Sequence, residues 1–211
     1  MSDVAVASER FGILTVCTGN ICRSPLAEYL LREGLDRWKV VDVSSAGTGA
    51  LVGHAMTDQT IAIAQAYGAT APDRHRARML ETDHLRKANL VIALTREHRR
   101  DIVGMLPRGS RHTFTLRELA RLLAAVQVAD LETVAGLPLE DTLGRFEELV
   151  HVAASLRGYV APPDDELDDD VIDPYRRGDE IYELSAAQLV PAVRTILERF
   201  ELAATITPGQ V

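Results

Sequence analysis

Cysteine is scarce in this chain: its 211 residues include only two, Cys17 and Cys22. A small extracellular scaffold held by disulfides needs more, so that class is excluded, and a pair five positions apart belongs to one local feature. Tryptophan occurs once and aromatic residues make up 5% of the chain, so its core must rest on aliphatic side chains. No apolar run approaches the roughly 20 residues needed to cross a bilayer. The first ten residues, MSDVAVASER, also lack the basic start and apolar stretch of a secretory leader. The expectation is a cytoplasmic protein with no membrane partner. A positive surplus is missing too. Lys and Arg total 23 against 31 Asp and Glu, a formal charge of -8, which argues against nucleic-acid binding through broad phosphate neutralisation and leaves room for a local basic pocket.

What is present is an ordinary globular composition, 46% hydrophobic and 26% charged. At about 150 residues per domain, the length suggests one domain, 1–211, carrying an insertion. Residues 12–17 form an apolar β-rich run, broken by Thr18-Gly19-Asn20 before a helical pattern with Pro25 in its first turn. Strand patterns recur at 39–45, 90–94 and 112–115, and helical ones at 61–67, 83–88 and 97–105. Strands alternating with helices predict an α/β fold, a parallel sheet with helices on both faces. Helical patterns return at 116–126 and 139–156. The acidic stretch 161–170 then loses all periodicity and reads as a mobile loop. A last amphipathic helix is expected over 181–201, kinked or interrupted at Pro191.

The informative segment is Cys17-Thr18-Gly19-Asn20-Ile21-Cys22-Arg23-Ser24-Pro25. A cysteine, five residues and an arginine between a strand and a helix N-terminus make a ring of backbone N–H groups, from Thr18 to Ser24, that can converge on one oxyanion. Arg23 closes the ring with a planar fork suited to two phosphate oxygens. Cys17 lies beneath the phosphorus as the nucleophile. Cysteines at helix N-termini beside arginine reach pKa values of about 3.5–7.5. A Walker loop is excluded because the Gly-Lys-Ser/Thr ending is missing.

With this loop and the distant Asp173-Pro174-Tyr175, the sequence resembles the low-molecular-weight protein tyrosine phosphatase family over about residues 11–115 and 171–201. Residues 116–170 look like an added, mainly helical segment. The resemblance implies a doubly wound four-stranded sheet of order 2-1-3-4. It implies a metal-independent phosphatase without cofactor, acting on protein phosphotyrosine through a cysteinyl-phosphate on Cys17, with Arg23 holding the phosphoryl group. Asp173 is the proton donor to the leaving group and the base for the hydrolysing water. Asn20, Ser24, Ser45 and His75 are implied as loop supports, although His75 also reads as a solvated loop histidine. Cys22 admits two readings, a disulfide partner that protects Cys17 on oxidation and a small buried hydrophobe. The implied partner is a phosphotyrosyl protein, with a cognate tyrosine kinase. The remaining histidines, His54, His84, His98, His112 and His151, are assigned no chemistry.

The chain departs from the family where an aromatic wall flanks the substrate ring. Leu51 stands in the first wall position and Arg176 follows Tyr175, so the wall is read as Leu51, Tyr175 and Arg176, with less stacking for an aryl phosphate. Relatives acting on phosphoarginine tend to carry Thr where this chain has Ile21, whose bulk favours tyrosine. Arsenate reductases on a related scaffold have Gln in place of Pro25 and need further thiols. Arg176 and Arg177 suggest acidic residues beside the phosphosite. The run Asp164–Asp170 reads as a solvated linker, or as a lid competing for the site. The alternatives are a phosphatase for phosphoarginine or small phosphate esters, and a non-catalytic phospho-ligand binder or a phosphatase relative regulating a partner through the helical insertion; a pure binder would have no need of Cys17 and Asp173 together.

Overall fold

Alternation along the first strand sends Phe11, Ile13 and Cys17 to one side and Leu14 and Val16 to the other. Each set is buried, so the strand needs cover on both faces. The structure, a computed structural model, describes residues 10–211; most of the N-terminal stretch examined for a leader, residues 1–9, lies outside them. Its elements run β1 (Phe11–Cys17), α1 (Arg23–Leu35), β2 (Val41–Gly47), α2 (Asp58–Ala66), α3 (Thr82–Lys87), β3 (Leu90–Ala93), α4 (Arg96–Met105), β4 (Thr113–Thr115), α5 (Leu116–Ala125), α6 (Glu132–Gly136), α7 (Thr142–Ser155) and α8 (Asp179–Thr205).

The four strands are parallel in the order β2-β1-β3-β4, with Phe11 opposite Val41 and Cys17 opposite Gly47. The 2-1-3-4 sheet is therefore as the family resemblance implies. Leu14, Val16, Val91 and Ala93 pack with Leu85 of α3 and Ile102 of α4. The other face carries the larger core, built with α1, α5, α7 and α8. Full cover on both faces is why β3 reads as an unbroken apolar run. Because β1 lies between β2 and β3, the chain leaves the sheet in opposite directions there, and the crevice at the strands' C-terminal ends is where such folds collect ligands.

The helices of residues 116–170 share that larger core. Phe146 of α7 meets Phe11 and Trp38 edge-on, with ring centroids 5.7 and 5.6 Å apart, and lies 4.8 Å from Phe200. Its neighbour Arg145 is fully buried, and its guanidinium donates to the carbonyls of Leu137, Ala203 and Ile206, closing the C-terminal end of α8. The helix expected from residue 139 begins at Thr142, where the Asp141 carboxylate caps Gly144 N at 3.0 Å.

Two expectations need correction. The acidic stretch is not a free loop: it forms one 3₁₀ turn, Glu166–Asp169, in which Glu166 pairs with Arg96 at 2.5 Å and Asp169 with Arg121 at 3.0 Å. Asp170 accepts the Arg96 amide at 2.7 Å and caps α4. These partners lie about 50–70 residues earlier, beyond the reach of local pattern reading. Pro191 does not interrupt α8, which runs unbroken for 27 residues. Pro191 and Ala187, whose carbonyl loses its donor, both sit on the exposed side, where water can satisfy that oxygen. Among the described residues no helix is long and apolar enough to cross a membrane.

Candidate active site

The loop from Thr18 to Cys22 leaves β1 at the sheet's C-terminal edge and feeds directly into α1, whose N-cap Cys22 makes no side-chain cap. Its carbonyls are all tied outward. Those of Cys17, Thr18 and Gly19 accept from the amides of Thr48, Gly49 and Leu51 at 2.9, 3.0 and 3.1 Å, and that of Ile21 accepts from Thr57 N at 3.1 Å. Asn20 O meets His75 Nε2 at 2.7 Å. Among the described residues, the amides of Thr18 to Cys22 donate to no protein acceptor. With the carbonyls held away, five N–H groups and the positive end of a 13-residue helix are free for an anion. Gly47 permits the close approach of β2, since a Cβ there would stand 2.3 Å from Thr18 O.

Cys17 lies at the base, 2% exposed, with Sγ 3.0 Å from Ser24 Oγ. The Ser24 hydroxyl accepts from Asn20 Nδ2 at 2.9 Å and keeps its own proton to give, to the sulfur at 3.0 Å or to the Ala46 carbonyl at 3.5 Å; a bond to the sulfur strengthens when the sulfur is charged. Asn20 Nδ2 also donates to Ser45 Oγ at 2.8 Å, and Asn20 Oδ1 accepts from Arg78 N at 2.9 Å. A left-handed backbone at Asn20, φ 55, turns this side chain away from the pocket and into the support network. Asn20, Ser24, Ser45 and His75 thus come together. His75 is buried rather than solvated, and burial pushes its pKa down against the hydrogen bond to Asn20.

Arg23 is 5% exposed. Its Nη1 donates to Val171 O at 3.0 Å, its Nη2 pairs with Asp173 at 2.9 Å, and among the described residues its buried Nε has no partner. A buried guanidinium N–H left unpaired costs stability unless a ligand takes it up. The pocket, about 140 Å³, is lined by Cys17, Thr18, Gly19, Ile21, Cys22, Arg23, Gly49, Leu51, Asp173 and Tyr175. Leu51 and Tyr175 therefore stand on its wall. Arg176 does not: at φ 60 it folds back, and its guanidinium lies 5.1 Å from the Tyr175 ring centroid. The carboxylate that reaches Arg23 is Asp173. The carboxylates of Glu166, Asp168 and Asp169 pair with Arg96, Arg117 and Arg121, while Leu167 and Asp170 border the cavity next to the site.

Cys22 is buried, and burial pushes its thiol up, opposed by Thr57 and Tyr182, which lie 3.7 and 3.8 Å from its sulfur. Both cysteines are free thiols. Sequence reasoning missed two residues. Glu28 is 7% exposed, accepts from Ser45 Oγ at 2.5 Å, pairs with Arg32 and lies 3.9 Å from His75 Nδ1; the signal was a carboxylate inside the run Leu26-Ala27-Glu28-Tyr29-Leu30. His98, assigned no chemistry above, is buried with Nε2 2.8 Å from Thr18 Oγ1. Burial, with Arg23 nearby, pushes it down to about 4.

With this geometry established, comparison identifies what the chain is similar to. A sequence profile described as low molecular weight phosphotyrosine protein phosphatase matches residues 12–130. A probable low molecular weight protein-tyrosine-phosphatase, EpsP of Ralstonia nicotianae, is 31% identical over 140 residues, covering 66% of this chain and 86% of that one. The low molecular weight protein-tyrosine-phosphatase Etp of Escherichia coli is 40% identical over 95 residues, covering 45% of this chain and 62% of its own length. Among solved structures, the YwlE arginine phosphatase of Geobacillus stearothermophilus superposes with a TM-score of 0.62 at 25% identity, covering 90% of this chain and 93% of that one.

Proposed function

The chain belongs to the low molecular weight phosphotyrosine protein phosphatase family and is a protein-tyrosine phosphatase, a hydrolase; from that premise we propose a mechanism carried by Cys17, Arg23 and Asp173. The observation that carries it is the loop itself, in which every carbonyl from Cys17 to Ile21 is bonded to a neighbouring segment and, among the described residues, the amides of Thr18 to Cys22 have no protein acceptor. The Cys17 thiolate attacks phosphorus in line while Asp173 gives its proton to the departing tyrosyl oxygen, leaving a cysteinyl-phosphate. Water then attacks that phosphorus, Asp173 takes the water's proton, and phosphate leaves with the thiolate restored. Arg23 and the amides stabilise charge on the three equatorial oxygens throughout. In the free enzyme Asp173 holds Arg23 by an ion pair, which an arriving phosphate displaces.

Tyrosine is favoured over arginine by Ile21, 5% exposed and packed on the pocket side among Cys22, Ala77 and Tyr182. Phosphoarginine is the second reading, kept open by the similarity to YwlE. Further parts of the proposal are a cytoplasmic location, a phosphotyrosyl protein partner with a cognate kinase, and residues 116–170 as an addition to the family core. Oxidative pairing of Cys17 with Cys22 belongs to it as well. The test is steady-state hydrolysis with EDTA and reductant of an aryl phosphate, a phosphotyrosyl peptide and a phosphoarginyl peptide, by wild type and Cys17→Ser. Preference for phosphotyrosine and a dead variant support the reading; undiminished turnover by Cys17→Ser refutes it.

A further inference from the structure

Thr18 is the first residue after the nucleophile, and its hydroxyl meets one side chain, Nε2 of His98 at 2.8 Å. Its methyl faces the other way, toward Gly49, where a Cβ would stand 3.6 Å from Thr18 Cγ2. His98 comes from α4, across the crevice between β1 and β3. Its Nδ1 is 2.8 Å from Thr95 Oγ1, and the same hydroxyl accepts the His98 amide at 3.2 Å as the cap of α4. The Thr95 hydroxyl accepts that amide hydrogen bond and can give its own proton to Nδ1, the tautomer on which the proposal below rests. The ring proton then sits on Nε2 and is donated to Thr18 Oγ1. One proton remains, that of the Thr18 hydroxyl. A second cavity of about 430 Å³ adjoins the phosphate pocket, and Thr18, Arg23 and Asp173 line both.

We propose that His98 is a positioning residue of the phosphate site, fixing Thr18 so that the first amide of the loop faces the oxyanion and a hydroxyl proton is presented where the two cavities meet. The proposal rests on reading the loop as a phosphate cradle. Thr95 and Asp170 cap α4 without the imidazole, so the bond to Thr18 is additional to what the helix requires. The charged groups acting on the imidazole are Arg23 and Asp173, of opposite sign, and burial keeps it neutral at ordinary pH.

The experiment measures inorganic phosphate binding by calorimetry in a Cys17→Ser background, with no turnover required. Thr18→Val and His98→Leu should each weaken phosphate about threefold to tenfold, the effect of losing one neutral hydrogen bond. The double variant should bind no worse than either single one, and His98→Gln, which places an amide N–H near the Nε2 position, should recover most of the affinity. Thr18 is exposed, so Thr18→Val keeps the test alive if His98→Leu fails to fold. A parent that binds phosphate while Thr18→Val binds equally well overturns this inference alone, as does a double variant whose losses multiply. A parent that binds no phosphate overturns the cradle reading itself.

Discussion

Replacing Asp173 by Asn should move two measurable quantities in opposite directions. Tyr175 N donates to Asp173 Oδ1 at 3.2 Å, a bond that the amide oxygen of Asn can accept, so the loop keeps its shape while the side chain loses the proton it would give. A positioned general acid contributes about 10²–10⁴-fold, so kcat on a phosphotyrosyl peptide should fall within that range. An activated aryl phosphate, whose leaving group departs without help, should lose far less. Phosphate affinity should rise instead. Arg23 is 5% exposed and Asp173 54%, so their pair is half in water and is worth at most about 1 kcal/mol. Removing that competitor should tighten phosphate by up to roughly fivefold. The assay is a leaving-group series under steady state, with inorganic phosphate as inhibitor. Equal losses across the series would remove Asp173 from the acid role, and weaker phosphate inhibition would show that it binds substrate instead of competing for Arg23.

The histidines predict a pH effect on stability. Unfolded His98 takes up a proton near pH 6.5, whereas folded His98 does so only at about 4, so its contribution is complete above pH 6.5 and is lost as pH falls toward 4, about 3 kcal/mol in all. His75 and His112, also pushed down by burial, act in the same direction. Urea unfolding at pH 7 and pH 4.5 should show this loss, and His98→Gln should reduce it; an unchanged pH dependence in that variant would refute the assignment. Arg145→Met would leave the carbonyls of Leu137, Ala203 and Ile206 without their donor. Relief of the buried charge offsets part of three strong hydrogen bonds, so the expected net loss is about 3 kcal/mol by urea titration, and a neutral result would mean those oxygens find water. Ile21→Thr should raise phosphoarginine turnover relative to phosphotyrosine, measured as a ratio of kcat/KM, and a ratio that stays put would show that Ile21 does not set the preference.

Local chemistry made the strand, loop and first helix legible in order, because Cys17 to Pro25 is one contiguous device whose turn, helix N-terminus and arginine all act over a few residues. The β3 run was legible for the same reason: burial on both faces leaves its mark on every residue of the strand. Asp173 was legible only through resemblance, since an Asp-Pro turn 150 positions from Arg23 carries no local sign of its partner. Glu28 looked like an ordinary helical carboxylate and His98 like part of a charged helix, because Ser45 and His75, which Glu28 meets, and Thr18, which His98 meets, lie on other segments of the chain. What the sequence determined by itself is therefore the strand-loop-helix segment from Cys17 to Pro25 and the alternation that forces a covered parallel sheet. Only the tertiary structure decided that α4 reaches across the β1–β3 crevice to hold Thr18, that the acidic run is bound by arginines, and that Arg176 lies behind Tyr175. Such pairings depend on where the sheet's crossovers return the chain, and that geometry is set by packing over the whole core.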